Sequence, residues 1–471
     1  MKKYKLLRRI LMIVVVFAVL TSYVFATETE EPLQESASVS GCYSMDATQH
    51  LIGPELRIDN AKAAFLYETS SQTLMYALNP DVQLPPSSLV KIMTALLVTE
   101  SGNLTDVITV QQSTLDSIPI GAMDADLQAG EIMPLGDLLY CMMVGSANDA
   151  AAVMAEHIAG SQSAFVSMMN TRAAELGCTA TTFINVHGLH NDQQLTTARD
   201  VAKILSAAME NELFHAVFST DSYTVPATNL SEERSLATSN YLQNKPPYYD
   251  ERVTGGRTGT ANDGTRCLAA TAGKDGMNLV SVIMGAESEI DEKTSGIKVY
   301  GGFNETKQLF DAGFTGYKPA QILFEGQVLT QRDVTDGENK VSIGPKVSVS
   351  TVLPAQVSSQ DLTFRYEDGG SSTKAPVQTG DRITGVEIWY GDLCVAKTDL
   401  YALNDVRVGN SFTTGDNQYS GSGLLKTVLV IVGALVCFCI LVLLTIRLSA
   451  KLRSYSARKR SKRRRRSRRR S

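Results

Sequence analysis

The sequence predicts an α+β domain, then a small all-β domain, then one hydrophobic helix near the C-terminus. Three patterns support this prediction. In residues 55–316, strand-like segments at both ends flank a group of helical segments, so both ends can contribute to one sheet. Residues 317–405 show short apolar runs between turns and predict a β-sandwich-like domain. Residues 424–446 contain a charge-free run long enough to span a bilayer.

The N-terminus has the pattern of a secretory signal peptide over residues 1–26. Basic residues open the chain, an apolar run follows from Ile10 to Leu20, and Ala26 precedes the polar pair Thr27-Glu28. Cleavage is expected after Ala26. Residues 27–54 are rich in Glu, Ser and Thr, and we expect a flexible acidic leader there.

The α+β domain is predicted to begin with a hairpin formed by Ala63–Tyr67 and Thr73–Tyr76. Pro85 and Pro86 then restrict the backbone, so a helix is expected to begin after them, at Ser88. Because the run that follows is apolar on nearly every side, this helix should be buried.

Four further helices and three strands are predicted in the rest of this domain. The second helix is expected to have Asp137 as its N-cap. The predicted helices are Leu138–Val144, Asp149–Ile158, Ala164–Leu176 and Thr197–Asn211. The predicted strands are Val253–Thr260, Cys267–Ala272 and Leu279–Met284.

The C-terminal region predicts a membrane anchor. Residues 406–423 form a Gly-, Ser- and Thr-rich linker before the hydrophobic segment 424–446. Residues 447–471 are rich in arginine and contain no acid, so the tail is expected to be cytoplasmic and the globular part external. We expect the tail to contact anionic lipid rather than nucleic acid, because it has almost no aromatic residues.

Composition excludes several classes of function. The formal net charge of −5 conceals an acidic central region, because basic residues are concentrated at both ends, and nucleic-acid binding through bulk charge is not expected. The seven cysteines form no C-x-x-C pair, so mostly buried thiols and no disulfide framework are expected. The five histidines do not cluster with acids or cysteines, so no metal site is expected.

Three short elements together predict a nucleophilic site. Ser88 and Lys91 are spaced i and i+3 on one helix face, where a desolvated amine can accept the hydroxyl proton. Ser146-Ala147-Asn148 lies in a loop between two predicted helices, and Arg257-Thr258-Gly259 lies on a predicted strand. Each element is weak alone, but their order and intervals in a secreted domain form a stronger joint signal.

With these elements the chain resembles the secreted D-alanyl-D-alanine carboxypeptidases, the low-molecular-mass penicillin-binding proteins. The resemblance extends through residues 85–96, 138–151, 183–189 and 196–201, and it covers roughly residues 55–405. It implies a penicillin-binding, β-lactamase-like fold for the catalytic domain and the family's second domain for the β region. It also implies a bacterial membrane protein whose catalytic domain is extracytoplasmic.

The resemblance implies acyl transfer through a covalent intermediate. Ser88 would attack the carbonyl between the two D-alanines that end a peptidoglycan stem peptide. Lys91 would accept the hydroxyl proton, and Ser146 would relay a proton to the leaving amine. A β-lactam would acylate Ser88 in the same way. No cofactor is implied.

The resemblance also assigns substrate-binding residues. Asn148 would hold the acyl part of the substrate. Arg257 and Thr258 would hold the terminal carboxylate. The backbone N–H groups of Ser88 and Thr260 would form the oxyanion hole.

The sequence departs from the family pattern at Arg257, where the family usually has lysine, and in the loop 260–265. Arginine preserves the charge but not the geometry of lysine. A membrane-tethered penicillin-binding protein with weak or no activity therefore stays an alternative. A class A β-lactamase is less expected, because no Glu between residues 156 and 251 has Asn four positions later. A Ser-His-Asp hydrolase is not indicated, because no Gly-x-Ser-x-Gly motif is present.

Overall fold

A computed structural model describes residues 43–290 and 297–409 of the chain. The strands and helices that the sequence predicts for the first domain are present in the predicted order, and further short elements lie between them. Its strands are β1 (Ala63–Glu68), β2 (Thr73–Leu78), β3 (Val107–Thr109), β4 (Ile132–Pro134), β5 (Ser222–Val225), β6 (Arg234–Ala237), β7 (Val253–Thr260), β8 (Arg266–Lys274), β9 (Met277–Ala286), β10 (Glu289–Ile290) and β11 (Ile297–Val299). Its helices are α1 (Val90–Ser101), α2 (Gln112–Leu115), α3 (Leu135–Met143), α4 (Asn148–Ala159), α5 (Gln162–Glu175), α6 (Ala198–Met209), α7 (Glu212–Phe218), α8 (Tyr241–Asn244) and α9 (Phe303–Gly316).

The main sheet is antiparallel and joins the two ends of this domain. Its strand order is β2-β1-β9-β8-β7. Strand β1 pairs with β9 far along the chain, with Ala63 opposite Met284. Every residue of β1 is buried, so both faces of the sheet are covered, since successive side chains point to opposite faces. The predicted α+β fold, with a sheet closed by both ends of the segment, is confirmed.

The helical cluster covers one face of the sheet, and α9 packs on the sheet as well. Helix α1 is buried from Val90 through Thr99, as its continuous apolar run predicts. In α9, an added Cβ on Gly313 would lie 2.8 Å from Leu279 of β9, so this helix is in close contact with the sheet. The active-site elements described below lie between α1 and the edge strand β7.

The N-cap assignment of Asp137 is wrong. Helix α3 begins at Leu135, and Pro134 is its N-cap, with a φ of −65° that suits the entry to a helix. Asp137 therefore lies in the first turn, where its carboxylate accepts a 2.6 Å hydrogen bond from the hydroxyl of Tyr223. By contrast, Thr197 caps α6, accepting from the backbone N–H of Asp200.

Residues 43–54 differ from the flexible leader that the sequence predicts. Tyr43, Leu51 and Ile52 are buried. The backbone N–H groups of Leu51 and Ile52 donate to the carbonyls of Leu74 and Met75 in β2. This short segment therefore extends the backbone hydrogen bonding along β2 and packs on the core.

The second domain is all-β, as predicted, apart from a 3₁₀ turn at Ser359–Asp361 in its described residues. Its strands are β12 (Tyr317–Leu323), β13 (Thr330–Arg332), β14 (Val334–Thr335), β15 (Val341–Gly344), β16 (Val349–Pro354), β17 (Thr363–Tyr366), β18 (Thr373–Lys374), β19 (Arg382–Tyr390) and β20 (Leu393–Ala402). Five of them form a sheet of order β13-β15-β20-β19-β17, and β12 pairs with β16.

Several predictions concern residues outside the described ranges. The signal peptide 1–26, the hydrophobic segment 424–446 and the tail 447–471 lie outside them, as does most of the linker. No helix within residues 43–290 and 297–409 is long and apolar enough to cross a bilayer.

The cysteines follow the sequence expectation only in part. Cys141, Cys178 and Cys267 are buried free thiols. Cys394 of β20 is disulfide-bonded, which differs from the expectation.

Candidate active site

Ser88 lies in a tight turn at the start of α1. Ser87–Leu89 form a 3₁₀ turn that continues into the helix. The hydroxyl of Ser87 donates a 2.6 Å hydrogen bond to the carbonyl oxygen of Thr260 in β7. Ser88 is therefore held at the helix N-terminus, directly beside the edge strand of the sheet.

Two glycines allow neighbouring backbone segments to approach this turn. A Cβ on Gly259 of β7 would lie 3.1 Å from the backbone nitrogen of Ser88. Gly188 has a φ of +89°, and a Cβ there would lie 2.0 Å from the carbonyl oxygen of Ser87. Any larger residue at either position would move the turn that carries Ser88.

Lys91 is completely buried and lies among three oxygen atoms. Its Nζ is 3.4 Å from the Oγ of Ser88, 2.7 Å from the Oδ1 of Asn148 and 2.6 Å from the carbonyl oxygen of His187. Burial holds the pKa of Lys91 well below its ordinary value, and the positive charge of Arg257 lowers it further. The predicted pair of hydroxyl and desolvated amine is present.

Ser146 and Asn148 lie at the junction between α3 and α4. Ser146 has a φ of +66°, and its Oγ accepts a hydrogen bond from the Nη2 of Arg257. Asn148 is the first residue of α4, and its backbone N–H donates to the carbonyl of Met123. The Oδ1 of Asn148 accepts a hydrogen bond from Lys91, and both Ser146 and Asn148 line the same cleft as Ser88.

Asp149 links the start of α4 to the loop that contains Ala125 and Leu127. Its buried carboxylate accepts backbone N–H bonds from Ala125 and Leu127, at 3.0 and 3.2 Å. Burial raises the pKa of Asp149, and these backbone donors oppose the rise. The residue supports the site and does not line it.

Arg257 is directed into the protein rather than into solvent. Its side chain is 2% exposed. Its Nε is 3.3 Å from the carbonyl oxygen of Ser88, its Nη1 is 2.9 Å from that of Met143, and its Nη2 donates to Ser146. Burial lowers the pKa of Arg257 to about 10, so the guanidinium is charged at neutral pH.

A cleft of about 450 Å³ opens in front of these groups. Five of the predicted residues line it, while Lys91 and Arg257 lie behind its wall. The lining residues among the predicted set are Ser88, Ser146, Asn148, Thr258 and Thr260. The predicted contact of Arg257 with a substrate carboxylate stays a prediction, since all three of its hydrogen bonds end on protein atoms.

Thr258 and Thr260 present their side chains on the same face of β7, because they are two residues apart. The hydroxyl of Thr258 hydrogen-bonds to that of Ser239, and the Oγ1 of Thr260 accepts a 2.9 Å hydrogen bond from the Nη1 of Arg266. Sequence reasoning gave Thr260 a backbone role only.

Four residues of the site were not predicted: Ser87, His187, Ser239 and Arg266. His187 contributes through its backbone carbonyl, and burial together with the charge of Lys91 lowers the pKa of its imidazole to about 4. The pairing of two serines in Pro85-Pro86-Ser87-Ser88 is a signal for Ser87. Ser239 and Arg266 stand in no motif: Arg266 is found from the pairing of β7 with β8, and Ser239 from its contact with Thr258.

Comparisons with known proteins match nearly all of the described region. The family profile described as D-alanyl-D-alanine carboxypeptidase matches residues 53–288, and that of the C-terminal domain of penicillin-binding protein 5 matches residues 317–408. D-alanyl-D-alanine carboxypeptidase DacC of Escherichia coli is 28% identical over 364 residues, covering 75% of this chain and 86% of that protein. DacF of Bacillus subtilis is 26% identical over 360 residues, covering 75% and 87%.

Solved structures show the same likeness. Penicillin binding protein 5 from Haemophilus influenzae superposes with a TM-score of 0.63 at 26% identity, covering 75% of this chain and 100% of that one. Both domains of this chain are therefore similar to parts of a single known architecture.

Proposed function

The chain belongs to the D-alanyl-D-alanine carboxypeptidase family and is a penicillin-binding protein, and from this premise we propose that Ser88 is its nucleophile. The enzyme removes the terminal D-alanine from peptidoglycan stem peptides through a Ser88 acyl-enzyme, and β-lactams acylate the same hydroxyl. The observation that carries the proposal is the buried Nζ of Lys91, 3.4 Å from the Oγ of Ser88.

Lys91 acts as the base in this proposal. A neutral amine has two N–H bonds and one lone pair. The carbonyl oxygens of Asn148 and His187 accept the two N–H bonds, which leaves the lone pair for the hydroxyl of Ser88. As the Oγ of Ser88 attacks the scissile carbonyl, its proton moves to Nζ. The low pKa that burial imposes favours passing that proton on.

Ser146 carries the proton to the leaving amine. The guanidinium of Arg257 donates to the Oγ of Ser146 and has no lone pair to accept from it. The hydroxyl hydrogen of Ser146 is therefore free to point into the cleft. The Oδ1 of Asn148 accepts a hydrogen bond from Lys91. The amide N–H₂ of Asn148 can then donate to the acyl part of the substrate.

The oxyanion hole is assigned to the backbone N–H groups of Ser88 and Thr260. Strand β7 is an edge strand, so part of its backbone faces the cleft instead of another strand. The hydrogen bond from Ser87 to Thr260 holds the turn that carries Ser88 against β7, which carries the second donor. Prepositioned donors of this kind stabilise the negative charge that develops in the transition state.

The alternative of an inactive wall-binding protein is not favoured. The contacts of Lys91 with Ser88 and Asn148, and the position of Ser146 in the same cleft, support acyl transfer. Peptide hydrolysis by Ser88, rather than binding alone, is therefore the function that the geometry supports best.

The decisive test uses the full-length protein in detergent. We expect it to release D-alanine from a peptide ending in D-Ala-D-Ala and to be labelled by fluorescent penicillin. Ser88→Ala is expected to do neither. Ser163→Ala, on the exposed side of α5, serves as a matched serine control. Penicillin labelling that persists in Ser88→Ala would place the nucleophile elsewhere.

We also propose that residues 424–446 anchor the enzyme in the bacterial membrane, with the catalytic domain outside and the tail at anionic lipid. The charge-free run and the arginine-rich tail support this proposal. The full-length chain should sediment with membranes and resist high salt, whereas a chain ending at residue 423 should be released. Release of the full-length chain by salt alone would contradict a spanning segment.

A further inference from the structure

We propose that Arg266, rather than Arg257, binds the C-terminal carboxylate of the substrate. This inference rests on the proposed function and names the side chain that recognises the leaving amino acid. The ligand class is a free α-carboxylate at the end of a peptide, or the equivalent carboxylate of a β-lactam.

The strand register places Arg266 at the cleft. Arg266 of β8 pairs directly with Thr260 of β7. Directly paired residues project from the same face of a sheet, and so do residues two apart on one strand. Arg266, Thr260 and Thr258 therefore share one face, and all three line the cleft that contains Ser88 and Ser146.

The charge of the cleft wall comes from this one arginine. Within the described part of the chain, the residues that line the cleft include no Asp or Glu, and Arg266 is the one permanently charged side chain among them. His190 also lines the cleft, and its imidazole is 3.1 Å from the carboxylate of Asp192. A cleft with a fixed cation and no acid attracts an anionic group.

Within residues 43–290 and 297–409, no carboxylate pairs with Arg266, and other contacts hold its side chain in position. Its Nη1 donates to the Oγ1 of Thr260, and its guanidinium lies 5.1 Å from the ring centroid of Tyr300. Its Nε is buried and has no acceptor among the described residues. The guanidinium is thus oriented by two contacts and keeps donors for a ligand.

Four other arginines of this domain have the opposite arrangement, since each of these four is paired with an acid of the protein. These pairs are Arg172–Glu100, Arg199–Asp81, Arg234–Glu131 and Arg252–Asp250. Such pairs stabilise the fold. Arg266 has no such acid in the part of the chain that the structure describes, and it lines the cleft that contains Ser88.

Arg257 is not suited to the same role. Its side chain is buried and its three hydrogen bonds end on Ser88, Met143 and Ser146. The two arginines therefore have different roles: Arg257 positions Ser146, and Arg266 binds the carboxylate. The hydroxyls of Thr258 and Ser239, which also line the cleft, provide neutral donors beside it.

The test compares two peptides on the full-length protein in detergent. One peptide ends in D-Ala-D-Ala with a free carboxylate, and the other carries a C-terminal carboxamide. We expect the natural enzyme to prefer the carboxylate in kcat/KM by about tenfold to a hundredfold, as for loss of a charge-assisted hydrogen bond. In Arg266→Gln, kcat/KM should fall by a similar factor for the carboxylate and little for the carboxamide. The ratio of kcat/KM for the carboxylate peptide to kcat/KM for the carboxamide peptide should then approach one.

Lys274→Gln is the matched control. Lys274 is exposed at the far end of β8, so this variant removes one positive charge from the same strand away from the cleft. It should retain the carboxylate preference. Arg266→Lys keeps the positive charge but loses the planar guanidinium with its paired donors. It should show an intermediate preference for the carboxylate peptide. The melting temperature of each variant is measured in parallel, and Arg266→Lys decides the matter if Arg266→Gln does not fold.

The outcomes separate this inference from the proposed function. If the natural enzyme cleaves the carboxylate peptide and the Arg266 variants keep its full preference, only the assignment of Arg266 is overturned. If the natural enzyme cleaves neither peptide and forms no penicillin adduct at Ser88, the proposed function fails and this inference fails with it.

Discussion

The Nζ of Lys91 donates a 2.6 Å hydrogen bond to the backbone carbonyl of His187. The base of the site is therefore held by a loop carbonyl, and its own hydrogen bonds reach no acidic side chain. Thr94, one turn further along α1, donates to the carbonyl of Val186 and fastens the same loop to the helix. This arrangement gives a buried amine fixed partners without stabilising its charged form through an ion pair.

Acylation of Ser88 by penicillin should increase with pH and reach a plateau well below the ordinary lysine pKa of 10.5. The active form is the neutral amine, and burial together with Arg257 lowers the pKa of Lys91. Stopped-flow measurement of the acylation rate from pH 5 to 10 checks this. Lys91→Met should lower the rate by about 10²- to 10⁴-fold, the usual contribution of a general base. A rate that falls as pH rises would contradict the assignment.

The same group should influence stability with a defined sign. The pKa of Lys91 is lower in the folded than in the unfolded protein, so between these values the unfolded chain binds more protons. The free energy of unfolding of the natural protein relative to Lys91→Met should therefore rise with pH across that window and level off above the ordinary pKa. Urea titrations of both proteins at several pH values measure the difference.

Gly188→Ala should reduce penicillin acylation by at least about a hundredfold, because a 1 Å displacement of a reacting group has effects of this size. The new Cβ would lie 2.0 Å from the carbonyl oxygen of Ser87 and would displace the turn. Gly160→Ala is the matched control: its φ is also positive, +77°, but nothing lies within 4 Å of its Cβ. Equal activity of both variants would show that the contact at Gly188 does not position Ser88.

Asp149→Ala should lower the free energy of unfolding by about 2 to 4 kcal/mol, because it leaves buried backbone donors without an acceptor. These donors are the N–H groups of Ala125 and Leu127. Asp149→Asn keeps one acceptor oxygen and should cost less. Chemical denaturation of the three proteins ranks them, and a loss as large for Asn as for Ala would contradict this explanation.

Arg257→Lys should retain penicillin acylation within about tenfold, because a cation can still donate to Ser146, whereas Arg257→Gln should lose about a hundredfold or more. Lysine is shorter and leaves the carbonyls of Met143 and Ser88 without their present donors. The melting temperature of Arg257→Lys should therefore fall, although this variant retains its activity. Activity in Arg257→Gln equal to that of the natural enzyme would rule out a role for the cation at Ser146.

Much of the site could be predicted because its residues stand in short motifs. Ser88 and Lys91 are neighbours on one helical turn, and Ser146 and Asn148 are two residues apart at a helix start. Local spacing determines these relationships. The closure of the sheet by β1 and β9 followed from apolar strand patterns at both ends of the domain.

The remaining features depend on relationships that local patterns do not contain. Arg266 reaches the cleft because β7 and β8 pair in one particular register, which depends on the turn between them. The burial of Arg257 results from the packing of β7 against the turn at Ser88 and the end of α3. Asp137 resembled an N-cap, but the helix begins earlier at Pro134.

The position of β7 at the edge of the sheet has a consequence for what the enzyme can cleave. A free strand edge offers its donors and acceptors at fixed intervals along a line. A peptide that docks on it adopts an extended backbone, in the manner of an added strand, and its residues fall into register with those intervals. We therefore expect this edge to favour a flexible, linear chain end over a cross-linked or folded segment.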